Sequence, residues 1–379
     1  MPEPMKRFFR RLRGRLSPAL LSDTAFLEQA YREVLGRDVD QDGLNYYRSR
    51  LRDGESRTAV LLGLAASEEF ARRFARPAPS LPSLRERRPD RYRRAVDTTT
   101  SQPVWAFQAE GPQDFDWLET EILESGYYEQ PGVWNLGVDV DKRVMAEIIA
   151  SFAPERALEL GCAAGAVLEC LRAGGFRAEG VEISALAADR ASPDVRPLIH
   201  RGDLLDLDLP PDYDVAFGLD VFEHLNPNRL DAYLGRLVSL LRPGGYLFVN
   251  VPAFGNDAHF GTVFPFYLDG WSAEAAAGGA FSLVHVDDLG YPLHGHLVWA
   301  DSAWWARRFA AQGLVRETAI EAAFHAKYDA YMDKRSRARK AFYVFSRDAD
   351  TGRTRQIVGR IGGTPSKALE SPTPAANSR

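Results

Sequence analysis

Between Arg156 and Val251 the chain alternates short apolar runs with helical segments, and few folds accept that alternation. The runs are Arg156–Leu160, Ala178–Glu182, Leu198–His200, Tyr213–Leu219 and Gly245–Val251. Strands that alternate with helices in this way form a parallel sheet covered on both faces. The first run passes through Gly161-Cys162-Ala163-Ala164-Gly165 into a predicted helix over Ala166–Ala173, which Gly174 and Gly175 end. The expected class is therefore α/β, with a doubly wound sheet.

A turn of small residues opening a helix lets the backbone approach a ligand closely. Glu182 ends the second strand, where a carboxylate can accept hydrogen bonds from both hydroxyls of a ribose. Together these features point to a cofactor that contains adenosine. A nicotinamide-binding turn, G-x-G-x-x-G, would place glycines at 161, 163 and 166, but the chain has Gly161, Ala163 and Ala166. Glu159 lies within the strand, just before the first glycine. It suits a cationic amino-acid tail and would repel a pyrophosphate. No G-x-x-x-x-G-K phosphate loop is present.

The segment Glu159-Leu160-Gly161-Cys162-Ala163-Ala164-Gly165 resembles the first motif of class I S-adenosylmethionine-dependent methyltransferases, acid-x-Gly-x-Gly-x-Gly, with alanine at the central glycine. "YDVAFGLDVFEHL" and "LRPGGYLFVNVP" resemble later motifs of the same family, in the same order. The resemblance implies a Rossmann-like methyltransferase sheet and S-adenosyl-L-methionine as cofactor. It assigns Glu159, Gly161, Cys162, Ala163 and Gly165 to the cofactor turn. It places Glu182 at the ribose with Ile183 beside it, and Asp203 at the adenine amino group with Leu204 against the ring. Leu219, Asp220 and Val221 would close over the cofactor. Asn226-Pro227 reads as the N-cap and first-turn proline of a helix whose buried stripe is Leu230, Leu234, Leu237 and Leu241.

Open α/β sheets bind ligands beyond the C-terminal ends of their strands. His224 and Asp220 follow the fourth strand. His296 closes an insertion over 253–299 that is rich in aromatic residues and acids, including Phe264, Phe266, Tyr267, Trp271, His285, Asp287 and Asp288. His224, His296 and Asp220 are the candidate catalytic groups, with an imidazole of ordinary pKa near 6.5 as the base. Aromatic planes beside carboxylates suit a sugar or a phenol. "GHLVWADSAWWARRFAAQGL" resembles an element of ubiquinone-type and polysaccharide-modifying O-methyltransferases. That resemblance implies methylation of a hydroxyl on a glycan or related small molecule. The rival reading is a methyltransferase-like binding or scaffold protein without turnover, and Ala163 gives it some footing.

Five regions are expected: a basic head over 1–22, a helical accessory domain over 23–75, an Arg/Pro-rich linker over 76–104, the methyltransferase domain over 105–350 and a disordered tail over 351–379. The segment 30–70, with Leu35-Gly36-Arg37, Gly43-Leu44 and Ser67-Glu68-Glu69-Phe70, resembles a small helical domain of unknown function related to phycobilisome linkers. That implies a docking role and a protein partner. Asp38, Asp40, Asp42 and Gly43 imitate half a calcium loop, but the closing bidentate acid is replaced by Ser49, so a turn between helices is expected. In the head, arginines flank Phe8, Phe9, Leu12 and Leu16, a pattern that suits contact with an anionic membrane. Cys162 and Cys170 are the only cysteines, which excludes a disulfide framework, and the histidines show no Cys/His metal spacing, so no metal is expected. A net charge of −5 argues against nucleic acid as partner. No run approaches the ~18–20 apolar residues that cross a bilayer, and no secretory signal is read. The expected place is the cytoplasm, peripheral to the inner membrane.

Overall fold

In the computed structural model the described residues are 22–52, 55–65, 81–130, 137–255, 259–348, 350–363 and 366. The basic head over 1–21 lies outside them. The chain divides into two compact units, Met1–Ala78 with Ser371–Arg379, and Pro79–Glu370.

The described part of the first unit is helical. α1 (Asp23–Ala30) is capped by the Ser22 hydroxyl, which accepts from Ala25 N at 3.2 Å. It runs on through one wide turn to Gly36, whose φ of 64° ends it in the left-handed region that glycine adopts freely. α2 (Gln41–Arg52) and α3 (Arg57–Ala65) complete the described part. Phe26, Leu27, Val34, Val60, Leu61 and Leu64 are buried together. The acidic run spans the expected turn between helices and the start of the second one, where Asp40 Oδ1 accepts from Gly43 N at 2.7 Å.

The second unit begins earlier than composition suggests. β1 (Tyr92–Asp97) and β2 (Gln102–Gln108) form an antiparallel hairpin. The expected solvent-exposed linker over 76–104 is thus corrected for residues 81–104, because Leu84 and Tyr92 are buried and the Tyr92 hydroxyl donates to Gly290 O at 2.9 Å. α4 (Pro112–Glu124) and α5 (Val140–Ala150) follow, and the Asp139 side chain caps α5. Then come β3 (Ala157–Leu160), α6 (Ala166–Ala173), β4 (Ala178–Glu182), β5 (Ile199–Arg201), β6 (Tyr213–Leu219), α7 (Leu230–Leu240) and β7 (Leu241–Asn250). β8 (Leu283–Val286) pairs antiparallel with β2, so the insertion and the segment before the main domain build one three-stranded sheet. α8 (Ser302–Ala311), β9 (Val315–Arg316), α9 (Thr318–Arg335), β10 (Phe342–Ser346) and α10 (Thr351–Gly363) close the unit.

The main sheet has the order β5-β4-β3-β6-β7-β10-β9. The first five strands are parallel, whereas β10 and β9 run antiparallel to their neighbours. Side chains alternate faces as the pleat requires, except at a bulge between Tyr213 and Val215 where β6 pairs with β7. Val215, Phe217, Tyr246, Phe248, Phe342 and Val344 pack against α5, α6, α9 and α10. Ala216, Leu247, Val249, Tyr343 and Phe345 pack against α7 and α8. The doubly wound α/β expectation holds.

Two local readings need correction. Residues 351–363 are helical rather than disordered, because Ile357 and Ile361 bury against α9 and the sheet. Asn226 does not cap α7, which begins at Leu230. Its side-chain amide instead donates to Asp116 and Glu119, both at 2.8 Å, and its Oδ1 accepts from Asn228 N at 3.0 Å.

Candidate active site

Strand order reverses between β3 and β6, and the crevice beyond their C-terminal ends is where open α/β sheets take ligands. A cavity of about 500 Å³ opens there. It is lined by the turn after β3, the ends of β4 and β6, the Phe222–His224 turn and His294–Leu297 of the insertion.

Every second residue of the turn after β3 is left-handed. Gly161, Ala163 and Gly165 have φ of 68°, 49° and 70°. A Cβ on Gly161 would stand 2.6 Å from Val221 Cγ2, so glycine is needed there for space as well as for φ. Ala163 holds a conformation that costs a non-glycine residue ~1–2 kcal/mol. Its N–H donates to Glu182 Oε2 at 2.8 Å, while Ser184 N donates to Oε1 at 2.7 Å. The Glu182 carboxylate therefore braces the turn, and burial raises its pKa against those two bonds. Cys162 packs its sulfur beneath Gly180, and burial pushes the thiol far up, which makes it inert. Gly165 does not line the cavity, contrary to expectation. Its missing side chain makes room for Val195 beneath the start of α6.

Glu159 is buried, and its Oε2 has no hydrogen-bond partner among the described residues. Burial pushes its carboxyl up to about 8, against the pull of Lys142 and Arg339. Asp220 faces the same space with φ of 53°. Its Oδ2 accepts from Arg339 Nη1 at 2.5 Å, and the same guanidinium reaches Asp141 at 3.1 Å and Asn250 Oδ1 at 2.5 Å. Asp220 is thus a partner of Arg339 rather than a free base. On the far side Asp203 is also engaged: it accepts from Leu205 N, Arg229 and the Tyr233 hydroxyl at 2.9, 3.0 and 2.7 Å. Leu204 is buried, Ile183 is exposed at the lip, and Leu219 and Val221 form the floor.

His224 and His296 come together across the cavity, their ring centroids 4.8 Å apart and edge to face. The Tyr128 hydroxyl stands 3.3 Å from His224 Nδ1. Glu223 is fully buried, and neither carboxylate oxygen has a hydrogen-bond partner among the described residues. His296 Nε2 lies 3.7 Å from Glu223 Oε1. Burial lowers the His224 imidazole to about 4 and takes His296 well below its ordinary value. The expected base of ordinary pKa is thereby corrected, since both rings are neutral at pH 7 and much less basic than free imidazole.

Of the insertion's aromatics, Phe264 alone lines the cavity. Trp271 is fully buried, and Tyr267 packs on Trp271 and Trp299, so these rings form a core rather than a sugar platform. Asp287 caps its own loop, accepting from Leu289, Gly290 and Tyr291 N–H groups. Sequence reasoning missed Tyr128, Lys142 and Arg339. They arrive from segments before and after the motif region, and no spacing marks them.

Residues 139–325 match the family described as a methyltransferase domain, and residues 17–74 match a domain of unknown function (DUF4214). Among curated proteins, none matches the chain. Among solved structures, the chain is similar to a 1,6-didemethyltoxoflavin-N1-methyltransferase from Burkholderia thailandensis with bound 1,6-didemethyltoxoflavin and S-adenosylhomocysteine. Identity is 17%, coverage is 65% of this chain and 96% of that one, and the TM-score is 0.40. It is also similar to an amino pentose methyltransferase from Micromonospora echinaspora, with S-adenosylmethionine bound, at 18% identity, 60% and 97% coverage and a TM-score of 0.35. Likeness at that level does not carry a substrate across.

Proposed function

We propose that this class I S-adenosylmethionine-dependent methyltransferase moves the methyl group to a hydroxyl of a glycan or related small molecule. The observation that supports this reading most is the pairing of two neutral imidazoles, His224 and His296, with the buried Glu223 carboxyl, which burial holds well above the usual carboxylate range, across the cavity from the glycine-and-alanine turn. When bound, the cofactor supplies an electrophilic methyl group on a sulfonium centre.

The residues present fit that cofactor. Glu182 has lone pairs left for ribose hydroxyls beyond the two N–H groups it already accepts. Leu204 and Val221 offer apolar surface for the adenine, and Asp203 keeps its carboxylate at that end. Glu159, buried and with its Oε2 unpartnered among the described residues, would take the ammonium of the amino-acid tail. Lys142 is the better partner for the tail carboxylate, because Arg339 is already occupied by Asp141, Asp220 and Asn250.

At the other end, Tyr128, His224 and His296 would position the acceptor hydroxyl. Holding the oxygen in line can supply up to ~7–11 kcal/mol of the barrier. The Glu223–His224–His296 cluster would take charge of the hydroxyl proton, and Asp220 would act by holding Arg339 in place.

In this reading the helical domain, in the relationship to phycobilisome linkers that its sequence suggests, docks a protein partner. The basic head, outside the described residues, would contact anionic lipid. Among the described residues no helix is long and apolar enough to cross a membrane. The test is a screen of glycan and phenolic acceptors with radiolabelled methyl donor. Label in hydroxyl-bearing acceptors is expected, and label confined to amines would overturn the choice of atom.

A further inference from the structure

We infer that Glu223, His224 and His296 form a binding site for one divalent cation of the zinc kind, placed where the acceptor hydroxyl must lie. One donor atom from each of the three side chains falls within 4.8 Å of the others. His296 Nε2 and Glu223 Oε1, at 3.7 Å, are too far apart to hydrogen-bond. Two ligands on one tetrahedral cation, with bonds of 2.0–2.1 Å, sit about 3.3 Å apart, so a shift of a few tenths of an ångström closes the pair on a metal. Glu223 is fully buried with both oxygens unpartnered among the described residues, so either a proton or a cation must neutralise it, and a cation shared with the two imidazoles would do so.

The fold holds this geometry deliberately. Glu223 O accepts from Leu297 N at 2.7 Å and from Val298 N at 2.9 Å, which ties His296 beside the Phe222–His224 turn. The Tyr128 hydroxyl at Nδ1 orients the His224 ring, as outer partners commonly do for ligating imidazoles. Nitrogen donors select zinc-like cations over magnesium or calcium. Two histidines and one glutamate leave a coordination position open, as catalytic zinc sites do. The sequence names both histidines but no metal motif, because His296 comes from the far end of the insertion and no short spacing links it to Glu223 and His224.

The inference rests on the hydroxyl-methylation reading and deepens it. A hydroxyl against the cation becomes more acidic and gives its proton to water. Its oxygen lone pair forms the new C–O bond as the S–C bond breaks, and that electron pair stays on sulfur, leaving a neutral thioether. The imidazoles then act as ligands rather than as proton acceptors.

The experiment is Co²⁺ titration of the full chain, followed by visible absorption, with Zn²⁺ as competitor. The wild type should take up an equivalent that gives d–d bands and that Zn²⁺ displaces. Glu223→Gln and His296→Ala should weaken that uptake at least a hundredfold. His259→Ala should retain it, since His259 belongs to a separate cluster with His325 and Asp329. Calorimetry with S-adenosylmethionine on the same samples reports folding and cofactor binding. Equal Co²⁺ uptake by wild type and Glu223→Gln, or none by wild type, overturns the site. Full-rate methylation of a hydroxyl acceptor after chelation overturns it too and leaves the methyl-transfer reading standing. Co²⁺ uptake at Glu223 without any S-adenosylmethionine binding would keep the site and overturn the reading that it serves.

Discussion

Replacing Glu159 with Gln should stabilise the protein and weaken its cofactor binding together. The carboxyl is raised from 4.5 to about 8, mainly by burial. Ionising it in place therefore costs ~5 kcal/mol. Because the folded-state pKa is the higher one, the folded chain holds the proton more tightly than the unfolded chain. Its contribution to stability is whole below pH 4.5, shrinks as pH rises and is gone above about 8. Between pH 5 and pH 9 that loss amounts to roughly 4 kcal/mol, and Glu159→Gln has no proton to lose. Urea unfolding of both proteins at the two pH values should show the variant gaining on the wild type by about that amount, with other titrating groups cancelling between them. The same substitution removes the carboxyl that would give up its proton to meet the cofactor's ammonium, so S-adenosylmethionine should bind about ten- to a hundredfold more weakly. A stability gap that does not change with pH would show that Glu159 is not the buried, unpaired acid described above.

Three further outcomes are expected. Glu182→Ala removes both the brace on Ala163 and the ribose acceptor, and calorimetry should show cofactor affinity falling about ten- to a hundredfold. A chain beginning at Pro79 should bind S-adenosylmethionine normally, whereas one beginning at Gln102 loses β1 and the buried Leu84 and Tyr92 and should melt lower or fail to fold. His224→Ala and His296→Ala should each cut turnover by roughly 10²–10⁴-fold with cofactor affinity nearly intact. With His224 lowered to about 4, its protonation should leave the wild-type rate flat from about pH 5.5 to 7.5.

The sheet was legible because its strands are short, apolar and separated by helices, and the five runs read from Arg156 to Val251 correspond to β3 to β7. The cofactor turn was legible for a different reason. Glycine at 161 answers a steric demand from Val221, and such demands leave local marks. What the sequence concealed depends on contacts between distant segments. Arginines and prolines over 76–104 read as a linker, yet Leu84 and Tyr92 supply the few apolar contacts that seat that stretch against the insertion. Thr351–Gly363 looked too polar to order, but Ile357 and Ile361, four residues apart, make one apolar stripe. In the site, the low basicity of His224 and His296 comes from burial by residues far along the chain. Lys142 and Arg339 reach the cavity from α5 and from the loop before β10.

The decisive measurement uses S-adenosylmethionine carrying a ¹³C-labelled methyl group, with the product of an accepted substrate read by carbon NMR. The label should appear in a methyl ether, and Glu223→Gln and His296→Ala should suppress it while still binding the cofactor. Label found on nitrogen or carbon, or cofactor bound with no transfer to any hydroxyl offered, would contradict the assignment.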